Sequence, residues 1–217
     1  GGGDEDVAVR GASTVTIFAA GRSVELDATA PDAIAAGERV TLRGHVLDNF
    51  VGAGRSVTIK GPVGGDAFLL GETLELHSNI AGDVYAAGES LFIPHDVTIG
   101  GNLYFGGAKL DLDGRVGGSL LGGGANIDID GSVGGDVTLE GADVRVGPEA
   151  SIGGSLTYES TEKGDISEQA TIGGATTWTE KVVGAPGEGE DKQEGSSVWG
   201  WLGWRLFLLG SALLVGA

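Results

Sequence analysis

The chain has 217 residues, of which 43 are glycine and only 5 are proline, and its formal net charge is −18. Collagen is excluded, because it needs abundant proline and a strict three-residue glycine period. The hydrophobic share of 41% is too high for a disordered tail, and the lack of cysteine excludes disulfides and thiolate metal sites. So acidic a surface repels phosphate, which argues against nucleic-acid binding.

The acidic composition fits two environments equally well. Dense carboxylates suit a halophilic source, where salt screens their mutual repulsion, and they also occur on ordinary acidic surfaces. The chain begins at Gly1 rather than at methionine. We therefore expect that a preceding segment was removed, and a signal peptide is one such segment.

The first twelve residues, which begin GGGDED, are predicted to be an acidic N-terminal tail. From residue 13 to residue 182 the chain repeats. An apolar residue precedes each glycine pair or its equivalent every 17 to 20 residues, at Val46, Val63, Ile80, Ile99, Val116, Val133, Ile152 and Ile172. A second marker recurs every 16 to 19 residues, at Gly21, Gly37, Gly54, Gly71, Gly88, Gly107, Gly124 and Gly141. Two markers with one period predict structural repeats.

Within each repeat, apolar and polar residues alternate in short runs, as in Val57, Thr58 and Ile59. Alternation predicts strands with one buried and one solvated face. A run this short is not stable alone, but it is stable when stacked on its equivalents from neighbouring repeats. The sequence therefore predicts an all-β, single-stranded β-solenoid with about 17 to 19 residues per coil.

The glycines are predicted to lie at corners, where the backbone needs positive φ or close packing. Two of the 19-residue steps, IPHDVTIGG and VGPEASIGG, contain a proline. We expect these insertions to lie at a corner of the coil. A left-handed hexapeptide helix is disfavoured because 17 is not a multiple of six, and the order G-G-x-G-x-D of calcium-binding nonapeptide helices is missing.

The repeating unit, a glycine pair followed by Asp, Ser or Asn, a short apolar run, a further glycine and an alternating run, resembles that of the bactofilins. The resemblance covers about residues 13 to 180. It implies a compact, right-handed β-helix that polymerises end to end without nucleotide or metal. Because a hydrophobic segment follows the repeats, the chain is most similar to the membrane-anchored, bactofilin-like subgroup.

One column of the predicted solenoid is apolar although alternation places it outward. This predicted apolar strip lies five residues after the apolar marker and consists of Val51, Phe68, Tyr85, Tyr104 and Leu121. Contiguous exposed apolar surface usually marks a contact, so the strip is a candidate lateral interface. Two alternatives are that corner geometry turns these side chains inward and that they only stack on one another.

A metal triad or a catalytic base is not predicted, since the three histidines, His45, His77 and His95, occupy different phases of the repeat. No catalytic, cofactor-binding or metal-binding residue is assigned, and no cofactor is expected. Asp66 and Asp83 are predicted to be stacked neighbours that could bind Ca²⁺ weakly. Far more often, such a column is a polar turn that satisfies backbone amides.

The last repeat contains Trp178, a candidate end cap or docking residue. Residues 183–198 are rich in Gly, Glu and polar residues, which predicts a flexible linker. Residues 199–217 carry one charge, Arg205, and begin with the candidate interfacial residues Trp199, Trp201 and Trp204. We interpret this segment as the start of a transmembrane helix, with a helix that caps the solenoid as the alternative.

The preferred functional hypothesis is a non-enzymatic, membrane-anchored scaffold that self-associates through the β-helix ends or recruits proteins, and so affects the cell envelope or shape. The alternative is a non-polymerising β-helix that binds a protein or polysaccharide at the membrane. An enzyme is disfavoured because long loops and a cluster of His, Asp and Arg are missing. The scarcity of Lys and Arg before Trp199 favours an extracytoplasmic β-helix.

Overall fold

In a computed structural model, residues 6–181 are described, and they form a parallel β-solenoid of about ten turns. The strands in chain order are β1 (Asp6–Ala12), β2 (Ile17–Thr29), β3 (Ala33–Leu42), β4 (Phe50–Ile59), β5 (Ala67–Leu76), β6 (Val84–Ile93), β7 (Thr98–Ile99), β8 (Leu103–Leu112), β9 (Arg115–Val116), β10 (Leu120–Ile129), β11 (Ser132–Val133), β12 (Val137–Val146), β13 (Ser151–Ile152), β14 (Leu156–Ser160), β15 (Asp165–Ile166), β16 (Thr171–Ile172) and β17 (Thr176–Glu180). The predicted all-β solenoid is confirmed.

The strands form two parallel sheets. The larger sheet has the order β1-β2-β3-β4-β5-β6-β8-β10-β12-β14-β17, with β15 beside β12, and the smaller has the order β16-β13-β11-β9-β7. Each long strand pairs with the equivalent strand of the next coil, so the chain advances by one strand spacing per turn. Ten such steps of about 4.8 Å separate β1 from β17, which gives a rod about 50 Å long.

Each long strand is bent at a glycine and so supplies two of the three sides of its coil. In β5, Ala67 and Leu69 are buried before Gly71, and Leu74 and Leu76 are buried after it. We call the residues before the glycine the first arm and those after it the second arm. The sequence predicted two separate short strands, but parallel pairing continues through the glycines on both neighbouring strands.

The apolar marker column lies on the third side of the coil. Its eight residues pair rung by rung, through isolated bridges from Val46 to Ile99 and through the smaller sheet from Ile99 to Ile172. All except Ile172, at the end of the rod, are at most 2% exposed. The predicted register of the repeats is therefore confirmed over its whole length.

Side-chain volumes compensate along the core. Gly52 occupies an inward first-arm position where the next coil has Leu69. A Cβ atom added to Gly52 would lie 2.8 Å from Cε1 of Phe50, so the Phe50 ring fills the space that the glycine leaves. Close packing of this kind keeps the narrow core dense although coils differ in sequence.

The glycines of the pairs are required by close approach and not by positive φ. Among the described residues, positive φ occurs only at Gly11, with φ of 99°. At Gly134, in contrast, an added Cβ would overlap the carbonyl oxygen of Gly117 in the preceding coil. Of the two reasons that the sequence suggested for these glycines, close packing is the one that applies to the pairs.

The inserted residues of the 19-residue steps lie in turns before the third side, as predicted. The Val97 amide donates to the Pro94 carbonyl at 3.0 Å, and the Ala150 amide donates to the Gly147 carbonyl at 3.2 Å. Val97 and Ala150 are buried, so each insertion adds one apolar residue to the core. The neighbouring coils keep their register because the extra length is taken up locally.

The solenoid begins earlier than the sequence suggested. Residues 6–12, which were assigned to the N-terminal tail, form β1 and pair with residues 23–29 of β2. Arg22 contributes to this pairing through its guanidinium, 3.3 Å from the Asp6 carboxylate. The sequence did not predict this strand because only Val7 and Val9 show apolar alternation in the short acidic segment. Both residues are only half-buried.

Candidate interaction surfaces

A ladder of polar side chains joins successive coils at the corner between the third side and the first arm. In each coil a side-chain oxygen accepts a hydrogen bond from the backbone amide of the equivalent residue in the next coil. The Asp83 amide donates to Asp66 Oδ1 at 2.8 Å, and the Asn102 amide donates to Asp83 Oδ1 at 2.7 Å. The ladder runs through Asp32, Asn49, Asp66, Asp83, Asn102, Ser119, Asp136 and Ser155.

The second glycine of each pair makes room for this ladder. A Cβ atom on Gly82 would overlap Asp66 Oδ1, and one on Gly101 would overlap Asp83 Oδ1. The sequence motif of two glycines and a small polar residue therefore has three separate roles. The first glycine admits a neighbouring carbonyl, the second admits the ladder oxygen, and the third residue supplies the next ladder oxygen.

The interpretation of Asp66 and Asp83 as a polar turn that satisfies backbone amides is confirmed by these bonds. Each carboxylate has one oxygen engaged with a backbone amide of the following coil. Within residues 6–181, no cluster of three or more His, Asp or Glu side chains is arranged to hold a metal ion. The weak Ca²⁺ site at this pair has no support from the geometry.

The predicted apolar strip lies outward on the first arm, as the alternation required. Its residues pair in register from coil to coil and are half-buried by one another. The rings of Phe68 and Tyr85 stack at 4.9 Å between centroids, and those of Tyr85 and Tyr104 stack at 4.7 Å. The inward alternative is therefore wrong, whereas mutual stacking does occur.

The strip belongs to a larger apolar surface that sequence reasoning missed. Its column continues through two more coils and comprises Phe18, Ile34, Val51, Phe68, Tyr85, Tyr104 and Leu121, which we call the large column. Two residues along each first arm lies a second outward column, the small column, comprising Ala20, Ala36, Ala53, Leu70, Ala87, Gly106 and Gly123. Together they form a face without a charged side chain over seven coils, the apolar face, in which Gly106 and Gly123 of the last two coils are buried.

Phe18 and Leu70 are the most exposed large residues of the apolar face, at 75% and 47%. Exposure of this extent on a protein of net charge −18 is unusual and indicates a contact surface. The signal that could have found the small column was available in sequence, since Ala20, Ala36 and Ala53 each precede a marker glycine. Small residues were passed over because they carry little hydrophobic signal individually.

The surroundings of Tyr85, a titratable residue of the apolar face, shift the pKa of its side chain. Burial raises the pKa of its hydroxyl to about 12, and the neighbouring Asp83 carboxylate adds to the effect. The hydroxyl donates a hydrogen bond to Asp83 Oδ2 at 3.3 Å. The phenol is therefore neutral at all ordinary pH values, and the apolar face keeps its character.

The remaining sides of the rod carry the charge. At the corner after the glycine, Arg55 lies 3.1 Å from Glu38 and 3.8 Å from Glu72, so charges alternate along the axis. On the second arm, the Arg145 guanidinium is 2.7 Å from the Asp128 carboxylate. Nearby, burial and then the charges of Asp111, Asp130 and Asp128 raise the pKa of Asp113. These exposed pairs contribute little stability individually.

The three histidines lie at the surface, in different phases of the coil. All three are exposed. His77 Nε2 lies 3.3 Å from Glu75 Oε2, and its ring contacts Phe92 edge-on at 6.4 Å between centroids.

Both ends of the larger sheet have an unpaired edge. In the part of the chain that the structure describes, β1 pairs only with β2, and β17 pairs only with β14. Every residue of β17 is exposed. Such edges present backbone donors and acceptors that can pair with another strand.

Trp178 lies in the last rung and covers the end of the core. It is in register with Tyr158, which is 1% exposed, and its own exposure is 36%. Its Nε1 atom donates to Ser160 Oγ at 3.0 Å. The hydroxyl of Tyr158 is buried without a hydrogen-bond partner beside an open cleft that Lys163 and Trp178 also line. Trp178 thus sits where the sequence placed it, on the terminal layer.

The candidate membrane residues Trp199, Trp201 and Trp204 lie outside the described residues, as does the whole of the predicted linker. Within residues 6–181, the structure has no helix long and apolar enough to cross a membrane. Comparison with protein-family models, with curated proteins and with solved structures finds no match to this chain. The function therefore has to be argued from the fold and its surfaces.

Proposed function

We propose that the protein is a membrane-anchored, bactofilin-like structural protein whose right-handed solenoid associates through its ends into a scaffold at the cell envelope. The observation that carries the proposal is the strand edge at each end of a uniform parallel solenoid, which no strand of residues 6–181 covers. Because every coil repeats the last one, a second chain can continue the ladder as another coil would. The right hand of the solenoid is proposed because the resemblance to the bactofilins implies it.

The ends differ in character, which supports a defined joint. The C-terminal rung presents Thr176, Trp178 and Glu180 in register with buried residues of β14. The N-terminal rung presents the edge of β1 and, on the first arm, residues 17–20 of β2. Joining the two ends would bury Trp178 and pair backbone groups that otherwise face water.

Electrostatics make the proposed assembly dependent on salt. Each chain carries a net charge of −18, so copies repel one another at low ionic strength. The Debye length falls from about 10 Å at 0.1 M to about 3 Å at 1 M salt, which removes most of that repulsion. Assembly is therefore favoured by salt, in keeping with a halophilic source.

Residues 199–217 are proposed to anchor the solenoid to a membrane, with the solenoid on the extracytoplasmic side. The anchor is tested by flotation with liposomes, comparing the full chain with one that ends at Val198. Sidedness is tested in cells with the Thr73→Cys variant, because the chain has no native cysteine. Its labelling by a membrane-impermeant maleimide in intact cells supports an extracytoplasmic solenoid, and labelling only after lysis contradicts it.

The scaffold itself is tested by electron microscopy of the full chain at 0.1 and 1 M salt with two matched variants. Thr176→Lys places a charge on the terminal rung, and Thr157→Lys places the same charge on an exposed lateral position of β14. A charge on a rung blocks edge pairing, so the first variant abolishes filaments and the second does not. Absence of filaments from the unmodified chain at both salt concentrations would overturn the proposal.

The apolar face favours a second candidate function, a non-polymerising module that binds a protein. A polysaccharide fits this surface less well, because sugar rings stack on exposed aromatic faces. Here Tyr85 has its ring faces covered by Phe68 and Tyr104. Persistent monomers with a bound protein partner would favour the module over the scaffold. Neither proposal assigns the chain a catalytic activity.

A further inference from the structure

We propose that two copies of this chain pair side by side through their apolar faces, with the solenoid axes parallel. The apolar face consists of the large column and the small column over seven consecutive coils. This contact goes beyond the end-to-end association proposed above and does not depend on it. The proposed occupant of the face is the same face of a second copy.

The sizes of the side chains decide the orientation of the pair. If the two-fold axis is parallel to the rods, the large column of one copy lies over the small column of the other at the same height. Ile34 then faces Ala36 of the second copy, and Tyr85 faces Ala87. If the rods are antiparallel, the large columns face each other. Interdigitation of large and small side chains is what dense face-to-face packing of sheets requires.

The charges along the two margins of the apolar face favour the same orientation. Beside the large column, the ladder margin carries the carboxylates Asp32, Asp66 and Asp83 and no cation over the seven coils. Beside the small column, the corner margin carries Arg22, Glu38, Arg39, Arg55, Glu72, Glu89 and Lys109. Parallel pairing places the acidic margin against this mixed margin, whereas antiparallel pairing places acidic margins together.

The area of the apolar face sets the expected strength of pairing. Seven coils at about 4.8 Å and two columns about 7 Å apart give at most roughly 400 Å² per copy once side-chain widths are included, because Gly106 and Gly123 are buried. The total of about 800 Å² is below the 1,200 Å² of typical stable complexes, so the pair is weak in dilute solution. Anchoring copies in one membrane with the same orientation raises their effective concentration, and only parallel rods suit such anchoring.

The first test measures dimerisation of the full chain in detergent by sedimentation at 1 M salt. Ala36→Glu places a carboxylate on an exposed position of the apolar face and is expected to raise the dimer dissociation constant at least about tenfold, because the charge is buried unpaired. Thr157→Glu adds the same charge to the same side of the rod, three coils beyond Tyr104, where the outward column is polar. It leaves the constant within about twofold. A monomer at every concentration, or equal effects of both variants, contradicts the proposal.

The second test determines orientation by distance measurement between spin labels on single cysteines. Thr73 lies at the height of Phe68, the midpoint of the large column, and Thr177 lies six rungs further along the rod. Parallel pairing places both pairs of identical labels within about 35 Å, given sheets about 10 Å apart. Antiparallel pairing separates the Thr177 labels by about 58 Å.

The same two labels separate this proposal from association through the ends. Contact between ends leaves the Thr73 labels of neighbouring copies far apart, whereas lateral pairing brings them together. Short distances at both positions support parallel lateral pairs. A long distance at either position contradicts them, and a long distance at Thr73 with filaments present supports the end-to-end proposal alone.

Discussion

Glycine at the paired positions of this chain is a steric requirement that comes from the neighbouring coil. Gly134 stacks on Gly117, whose carbonyl oxygen occupies the space of a Cβ. Gly122 is different, because a Cβ there would lie 3.4 Å from Leu139 Cδ2, in ordinary contact with the core. The two positions therefore provide a matched pair of substitutions.

We expect Gly134→Ala to destabilise the protein by about 1–3 kcal/mol, the usual cost of forcing an extra methyl group into a dense site. Gly122→Ala is expected to be neutral or to stabilise by up to about 1 kcal/mol, because alanine loses less backbone entropy on folding. Chemical denaturation of both variants measures the difference. Equal stabilities would contradict the close approach between coils.

The polar ladder depends on an acceptor oxygen and not on a negative charge. Asp66→Ala leaves the Asp83 amide without its partner, which is expected to cost about 1–3 kcal/mol. Asp66→Asn keeps an oxygen at the same place, as Asn49 and Asn102 do in the same ladder. Thermal unfolding of the two variants should show a lower midpoint for the alanine variant and little change for asparagine.

The hydroxyl of Tyr85, on the apolar face, makes the stability of the folded protein depend on pH in the alkaline range. Because its pKa is raised from 10 to about 12, the folded state holds this proton more tightly than the unfolded chain. The resulting stability is fully present below pH 10 and is lost as pH rises towards 12. Absorbance at 295 nm should show a step near pH 12 that Tyr85→Phe removes. A step near pH 10 that disappears in the Tyr85→Phe variant would contradict the burial of this group.

At the scale of single residues, the period of the sequence predicted which side chains share a column. Val46 through Ile172 pair as the repeat requires. The reason for the second glycine was not predictable, since it depends on where the Asp66 oxygen of the preceding coil points. Phe18 and Ile34 were missed because the apolar marker that locates the predicted strip begins only at Val46.

The elements of this fold are ten-residue strands that turn a corner without ending. Their continuity through Gly71 and its equivalents was not predictable from alternation, which stops on either side of the glycine. Each element contacts mainly the elements directly above and below it, as in other solenoids. A substitution in the last rung should therefore affect only the coils next to it.

Trp178→Ala tests this local coupling at the C-terminal rung. The substitution uncovers Tyr158 and removes the donor to Ser160, so the amides of β14 should exchange with solvent at least about tenfold faster. The amides of β6, which lies several coils away, should be unchanged. Thr177→Ala, an outward change in the same strand, is the control. Hydrogen exchange read by mass spectrometry distinguishes this outcome from a loss of stability spread over the whole rod.

As a whole, residues 6–181 form an acidic rod with an apolar face, and among these residues each end of the rod has an unpaired strand edge. The sequence predicted the solenoid because eight markers that recur with one period are compatible with few other folds. It did not give the extent of the apolar face or the start of the solenoid at β1, because both depend on residues too small or too polar to carry a signal. The proposed scaffold follows from the uniformity of the stack, which lets another chain serve as the next coil.

Diffraction from aligned filaments of the full chain at 1 M salt is the most direct test of this account. If the ends continue the stack, strands lie perpendicular to the filament, and a strong reflection near 4.8 Å appears along the filament axis. A subunit repeat of about 48 Å, ten rungs of that spacing, should accompany it, because each arm of the rod has ten rungs. Filaments whose 4.8 Å reflection lies across the axis, or a chain that forms no filament at any salt concentration, would contradict end-to-end stacking.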